Sequence, residues 1–229
     1  MLKNSSHDTG AQAVKRPAHQ AVYEDLRDQI LFGQLTPGQA VTIQGLTEQL
    51  GAGMTPVREA IRRLISEGAL RMMGNRRVIV PELTLDCIEE LDFMRKSLEP
   101  HLARRAVERI TQADLELLTA IDESLNHAIE MGDIPTYLRQ NYQFHVMVYR
   151  IASAPIVAAT IDRLWLRFGP SLRVVCGRHG TLNLPDKHAD LIDAFQSRDA
   201  VAAGNAMSGD VDQGMNQIRE TLMPDPAGY

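Results

Sequence analysis

The fold is decided by residues 53–68, which read GMTPVREAIRRLISEG. The apolar residues of this stretch recur at spacings of three and four, as on one face of an amphipathic helix: Val57, Ile61 and Leu64. Arg58 and Arg62 are four residues apart and lie away from that face. Thr55 before a proline is typical of an N-cap, and Gly68 is a typical helix end. The stretch therefore predicts a helix with one apolar side and one basic side.

The segments around this helix complete a small DNA-binding unit. Two helices are predicted before it, the first ending at Gly33 and the second over 43–50. After it, two short β-prone segments flank a turn with a basic tip, Gly74-Asn75-Arg76-Arg77. Three helices followed by a β-hairpin are typical of a winged helix-turn-helix. An irregular linker in place of the hairpin is the alternative, and the Gly-Asn turn with its Val-Ile-Val strand favours the wing.

From residue 84 onward almost every pattern indicates helix. The predicted helices are 84–98, 100–109, 111–131, 134–153, 155–175, 185–196 and 199–223. The expected N-caps are Thr84, Thr111 and Asp133. Pro100 and Pro170 are expected to kink or divide the helices that contain them.

The predicted fold class is therefore mainly α: an N-terminal winged helix-turn-helix, with three helices plus a β-hairpin wing, and a C-terminal all-helical bundle. We divide the chain into a disordered arm (1–17), a winged helix-turn-helix DNA-binding domain (18–81) and a helical domain (82–229). With 229 residues, of which 44% are hydrophobic, the chain can form two cores.

Composition indicates a protein of the cytoplasm. No apolar run is long enough to span a membrane, and the first residues lack a secretory signal, so we expect neither membrane nor export. Cys87 and Cys176 are too few and too far apart for a disulfide framework, and both are expected to be core thiols.

The charge is divided unevenly along the chain. Residues 1–81 hold 10 Lys and Arg against 7 Asp and Glu, whereas residues 82–229 hold 14 against 22. Phosphate binding requires local positive charge, and an acidic remainder suits a bound cation. Ordinary compositional scatter would give the same imbalance and stays open on charge alone.

The basic side of the predicted 55–67 helix is the candidate base-reading surface. In a helix-turn-helix this helix enters the major groove, and its early residues meet base edges: Thr55, Val57, Arg58 and Arg62. An arginine fork can satisfy guanine O6 and N7 together. Surface pairs of Arg58 with Glu59 or of Arg62 with Glu48 are the structural alternative, and the adjoining wing favours DNA.

Residues 18–81 resemble the DNA-binding domain of GntR-type bacterial regulators. The matching residues, in order, are Leu26-Arg27-Asp28-Gln29-Ile30, Gly33, Pro37-Gly38, Thr55 to Ile61, Leu64 and Glu67-Gly68. The resemblance implies that a homodimer binds a double-stranded DNA operator, with further contacts from the first helix and the wing: Arg27, Asn75, Arg76 and Arg77. Gly53-Met54 stand where the family usually has Ser-Arg, so one contact is expected to be missing.

A second candidate site lies in the C-terminal half. Asn141 and His145 are four residues apart on one predicted helix, with Tyr149 one turn further, while His188 and Asp210 lie on later helices. Two imidazoles, a carboxylate and an amide oxygen are credible ligands for a divalent metal that keeps open positions. Histidines that are merely solvated or hydrogen-bonded are the alternative that spacing leaves open.

This half resembles the FCD sensing domain of the FadR branch of GntR regulators, over 84–223. The motifs are Arg95 to Pro100, Asn141 to His145, and His188 with Asp199-Ala200, Met207 and Asp210. Metal-binding members have Asp-x-x-x-His and two later histidines, so Asn141 and Asp210 replace Asp and His. The resemblance implies a divalent metal, with Zn²⁺ first and Ni²⁺ or Mn²⁺ as alternatives.

The resemblance also implies a small carboxylate effector. Arg95 would grip a carboxylate in the cavity, unless it pairs only with Glu99 one turn on; Tyr149 and Arg173 are further candidates. The predicted function is a DNA-binding transcriptional regulator, a repressor by family habit, that responds to a small organic acid. A metal-dependent enzyme acting on such an acid is the alternative, although the sequence shows no nucleophile motif or phosphate loop.

Overall fold

Helices form most of the structure, a computed structural model that describes residues 17–74, 77–179 and 187–223. The N-terminal part contains α1 (Ala18–Leu31), β1 (Ala40–Val41), α2 (Ile43–Leu50), α3 (Met54–Ser66), β2 (Arg71–Met72) and β3 (Val78–Ile79). The C-terminal part contains α4 (Leu85–Val107), α5 (Gln112–Met131), α6 (Ile134–Ala152), α7 (Pro155–His179), α8 (Lys187–Gln196) and α9 (Ala200–Leu222). The predicted fold class is confirmed.

Helix α3 packs against α1 through its apolar stripe. The buried residues of the stripe are Val57, Ala60, Ile61 and Leu64. Beside it, the Arg63 guanidinium lies 3.6 Å from the centre of the Tyr23 ring, and its Nε is 3.1 Å from Glu67 Oε1. The Tyr23 hydroxyl also donates to Glu67, at 2.9 Å. Apolar burial and these polar contacts together hold α3 on α1.

The predicted wing is present as the antiparallel pair of β2 and β3. A third strand, β1, lies on the other side of β3, with Ala40 opposite Ile79, and it was not predicted. Two residues after a Pro-Gly turn are too few to show the alternation that identifies a strand. Asn75 and Arg76 at the tip of the predicted wing, like residues 1–16 of the predicted arm, lie outside the described residues.

Two predictions about helix limits were wrong, and both concern proline. Helix α3 begins at Met54 with Gly53 as its N-cap, so Thr55 is not the cap. Pro56 is tolerated as the third helical residue, where no intrahelical partner exists for a backbone N–H. Helix α4 continues through Pro100 instead of dividing there. Pro100 is buried while α4 packs along α9, and that burial offsets the lost hydrogen bond.

The other cap predictions are confirmed. The Thr84 side chain accepts from the Cys87 N–H, Thr111 and Asp114 form a capping box, and Asp133 accepts from the Thr136 N–H. These caps satisfy N–H groups that lack a partner in the first turn.

The two cysteines differ from the prediction in one case. Cys176 is buried, as expected, but Cys87 is exposed in the first turn of α4, where the helix faces a groove rather than the core. No helix within the described ranges is long and apolar enough to cross a membrane.

Helix α7 contacts the N-terminal part as well as the bundle. The two lie close at Gly169, where an added β-carbon would lie 2.6 Å from the Leu31 carbonyl oxygen at the end of α1. A backbone atom cannot move aside as the end of a flexible side chain can. The glycine therefore permits direct packing of α7 on α1.

We expect Gly169→Ala to destabilise the protein by about 1–3 kcal/mol, because the new methyl group overlaps backbone. Gly214→Ala in α9 is the matched control, since nothing lies within 4 Å of its added β-carbon. There alanine should stabilise the helix by about 0.5–1 kcal/mol. Thermal unfolding followed by circular dichroism measures both, and equal midpoints for the two variants would contradict the packing described.

Candidate functional site

The exposed side of α3 has the predicted base-reading arginines. Thr55, Arg58 and Arg62 are exposed. Within the part of the chain that the structure describes, Arg58 and Arg62 have no ion pair, so neither Glu59 nor Glu48 is a partner. Two guanidinium groups one turn apart are thus directed to solvent on the second helix of a helix-turn-helix.

Two residues predicted to contact DNA, Val57 and Arg27, do not have exposed side chains. Val57 is fully buried in the α3 stripe, so its side chain does not face outward with Arg58. Arg27 donates from Nη2 to Asp162 Oδ1 at 2.5 Å and to the Tyr142 hydroxyl at 2.9 Å, both in the C-terminal part. Of the predicted wing contacts, Arg77 is described and is exposed beside β3.

The C-terminal part brings His145, His188 and Asp210 together although they lie on α6, α8 and α9. One ligand-type atom from each lies within 4.8 Å of the others. Asp210 Oδ2 is 3.0 Å from His145 Nε2, and Asp210 Oδ1 is 3.7 Å from His188 Nε2. Both histidines are buried. Asn141 is half-buried one turn before His145, on the same face of α6.

The opposite nitrogens of the two imidazoles each face a different carboxylate. His145 Nδ1 is 3.4 Å from Glu99 Oε2, and His188 Nδ1 is 3.2 Å from Asp122 Oδ1. The Phe144 ring stacks on His188 with centroids 4.0 Å apart. Carboxylates at Nδ1 orient imidazole rings so that Nε2 faces the opposite way, a pattern common behind metal ligands.

The two Nε2 atoms have no hydrogen bond in the described structure. Each is buried, and neither meets the angles of a hydrogen bond within the described residues, although His145 Nε2 lies at ion-pair distance, 3.0 Å, from Asp210 Oδ2. The two nitrogens therefore face one carboxylate that does not fully satisfy them as hydrogen-bonding groups, and a cation between the three groups would do so.

The electrostatics of this cluster are dominated by its carboxylates. Burial opposes charge on His145, but Asp210 and Glu99 outweigh it and raise its pKa to about 9. For Glu99, burial alone raises the pKa, but the nearby Arg95 and His145 outweigh burial and lower it to about 2. Against burial, His145 and His188 hold the pKa of Asp210 well below its ordinary value. The carboxylates are therefore ionised at neutral pH.

Arg95 and Tyr149 belong to the same buried network. The Arg95 guanidinium binds Glu99 through Nε at 2.5 Å and Nη2 at 3.2 Å, which is the internal pair considered from the sequence. Its carbon centre lies 4.1 Å from the centre of the Phe168 ring. The Tyr149 hydroxyl donates to Glu99 at 2.8 Å and accepts from Trp165 Nε1 at 3.2 Å.

Arg173 does not join this network. Its β-carbon lies 2.6 Å from where a β-carbon on Gly33 would be, so it packs on the turn after α1. The residues that sequence reasoning missed are Asp122 and Trp165. Asp122 is 66 residues from His188 along the chain, and neither spacing nor motif connects the two.

These observations define a class of protein: a winged helix-turn-helix with exposed arginines on α3, joined to a helical domain with a buried polar site, is typical of a DNA-binding regulator. Residues 18–80 match the family described as "Bacterial regulatory proteins, gntR family", and residues 90–213 match the FCD domain. The chain belongs to the GntR family of bacterial transcriptional regulators, in the branch with an FCD domain. The resemblance inferred from the sequence is confirmed.

Similar proteins are regulators too. The HTH-type transcriptional regulator McbR of Escherichia coli is 37% identical over 151 residues, 66% of this chain and 68% of McbR. The HTH-type transcriptional repressor RspR, also of Escherichia coli, is 24% identical over 212 residues, 90% of this chain and 92% of RspR. The solved structure of Escherichia coli McbR covers 91% of this chain and 100% of its own, with a TM-score of 0.85 and 29% identity. The family is one of regulators, not enzymes.

We expect Arg58→Ala and Arg62→Ala each to weaken binding to DNA from the region upstream of the gene, by about 1–3 kcal/mol where the arginine pairs with guanine. Stability should be unchanged because both side chains are exposed. Arg63→Ala is the matched control, since this arginine packs on Tyr23 and should lose stability instead. Fluorescence anisotropy and thermal unfolding measure the two effects. Unchanged affinity in both Arg58→Ala and Arg62→Ala would contradict base reading by α3.

Proposed function

We propose that the chain is a homodimeric repressor of the cytoplasm whose operator binding is modulated by a small organic acid, bound in the FCD domain through a divalent metal. Its membership of a regulator family supports the DNA-binding half. The observation on which the sensing half depends is the pair of buried Nε2 atoms that face Asp210 without a hydrogen bond within the described residues.

The residues present fit a divalent cation. His145, His188 and Asp210 would supply two imidazole nitrogens and one carboxylate oxygen, and Asn141 could add an amide oxygen. Glu99 and Asp122 already hold the two rings from behind, which is the outer support that metal-ligating histidines usually have. The mixed nitrogen and oxygen set favours Zn²⁺, with Ni²⁺ or Mn²⁺ as alternatives. When bound, such a cation supplies positive charge with open positions for an oxygen ligand.

The charge around the site favours an anionic effector. Glu99 engages only the Nε and Nη2 edge of Arg95, and the Nη1 side takes no part in that pair. The Arg95 side chain is 3% exposed and lies on Phe168, in surroundings where a charge-assisted hydrogen bond is strong. A small carboxylate could therefore bind between Arg95 and the cation, with Tyr149 fixing the arrangement behind them. Arg173, on the turn after α1, would act only if the ligand extended towards the DNA-binding domain.

We assign DNA contacts to the exposed residues of α3 and of the wing. Thr55, Arg58 and Arg62 would meet base edges in the major groove, while Arg77 and the undescribed Asn75 and Arg76 would follow the backbone or the minor groove. Two copies would bind two half-sites, as the family resemblance implies. Repression is favoured because RspR, similar over 90% of this chain, is described as a repressor.

We expect His145→Ala to lose most of the bound metal, because it removes a central ligand. His127→Ala is the matched control, since His127 is 73% exposed on α5 and outside the site. Elemental analysis after dialysis against Zn²⁺, with circular dichroism to confirm folding, measures the stoichiometry. A folded His145→Ala protein with the wild-type metal content would rule out this ligand set.

We expect Asp122→Ala to weaken Zn²⁺ binding by about 10–100-fold, because His188 loses the carboxylate that orients its ring. Asp190→Ala is the control: it removes an exposed carboxylate of α8 that pairs with Lys187, outside the site. Isothermal titration calorimetry gives both affinities. Equal Zn²⁺ affinity in the two variants would show that Asp122 has no part in the site.

A further inference from the structure

One polar cluster connects the DNA-binding domain to the FCD domain, and we call Arg27, Tyr142 and Asp162 the interdomain cluster. Arg27 lies on α1, Tyr142 on α6 and Asp162 on α7. The Arg27 guanidinium donates to both partners, and the Tyr142 hydroxyl donates to Asp162 Oδ1 at 2.5 Å. Each member therefore contacts the other two.

The cluster is partly shielded from water. The Arg27 side chain is 15% exposed and the Asp162 side chain 40%, and the Phe32 ring packs edge-on against Tyr142 with centroids 5.9 Å apart. Burial and Asp162 raise the pKa of Tyr142, so its hydroxyl stays protonated as a donor. A partly shielded ion pair that shares a second hydrogen bond holds its partners more firmly than a fully exposed pair does.

The interdomain cluster also lies beside the candidate metal site formed by His145, His188 and Asp210. Tyr142 is three residues from His145 on α6, and its ring lies edge-on to Trp165 at 5.3 Å. Trp165 in turn lies 5.2 Å from the His145 ring, and it is three residues from Asp162 on α7. Helices α6 and α7 therefore line both the site and the cluster, and the Trp165 indole contacts a residue of each. A shift of His145 or Trp165 cannot leave Tyr142 unaffected, because the interior is close-packed.

We propose that the interdomain cluster is the switch of this regulator: occupancy of the FCD site changes its strength through Trp165 and Tyr142, and thereby the freedom of the DNA-binding domain. In one state Arg27 binds Asp162 and α1 is fixed on α6 and α7. In the other state this ion pair is broken and α1 is free to move relative to α6 and α7. The inference rests on the proposed function for its input.

Tyr142→Phe and Asp162→Asn test the switch, because each keeps the shape of the side chain and removes its polar contact. Lys96→Gln is the matched control, since it breaks an ion pair of 2.6 Å to Asp212 inside the FCD domain. For each protein, fluorescence anisotropy gives the affinity for upstream DNA with and without Zn²⁺, and calorimetry gives the Zn²⁺ affinity. We expect Zn²⁺ to change DNA affinity about 5–150-fold in the wild type and in Lys96→Gln, within the usual range of coupling between sites.

In Tyr142→Phe and Asp162→Asn we expect this ratio to fall towards one while Zn²⁺ still binds. Wild-type ratios in both variants would overturn the proposal. A wild-type protein that binds Zn²⁺ without any change in DNA affinity would overturn it as well, while leaving the metal site intact.

Hydrogen exchange tests the cluster without metal. We expect faster exchange at the end of α1 in Asp162→Asn than in Lys96→Gln, because α1 loses its ion pair to α7, although the packing at Gly169 remains. Equal exchange in the two variants would show that the cluster does not hold the domains together, which overturns the proposal. If the wild type bound no Zn²⁺, the proposed function and the input to the switch would fail, and exchange would still decide the role of the cluster.

Discussion

The buried imidazole of His145, held between Glu99 and Asp210, is the interaction on which the FCD domain depends. Glu99 comes from α4 and Asp210 from α9, so one ring from α6 links three helices. Charged groups can be buried only if they are paired, and here Arg95 and the imidazole compensate the two carboxylates. The pairing fixes how α4, α6 and α9 meet, and it leaves Nε2 directed at a site where a cation fits.

Helix α6 joins this constraint to the DNA-binding domain. His145 faces the bundle, whereas Tyr142 and Arg139 face α1: Tyr142 binds Arg27, and Arg139 lies 4.5 Å from the Phe32 ring centre. Helix α7 has the same two-sided character, with Trp165 against His145 and Gly169 against the end of α1. The buried His145 cluster and the DNA-binding domain are therefore separated by a few packed side chains.

Local rules predicted much of the fold, and tertiary contacts decided the rest. The α3 stripe, the Thr111 cap and the wing follow from short-range patterns, so the sequence predicts them. The prediction that the helix divides at Pro100 was wrong because Pro100 is buried, and α4 packs along α9, a helix far later in the chain. Val57 stands at a position where the motif can contact a base, but its side chain is apolar and is buried in the core.

For the site, helical spacing and the family resemblance were enough to predict that His145, His188 and Asp210 lie together. The partners Asp122 for His188 and Asp162 for Arg27 depend on which helices meet, and one sequence does not show that.

X-ray absorption at the zinc edge of the Zn²⁺-loaded protein tests the central claim most directly, because it reports the atoms around the cation. We expect about two imidazole nitrogens at roughly 2.0–2.1 Å from the cation, together with carboxylate oxygen. A first shell of oxygen alone, without imidazole scattering, would mean that the two Nε2 atoms do not bind the metal, and it would contradict the account.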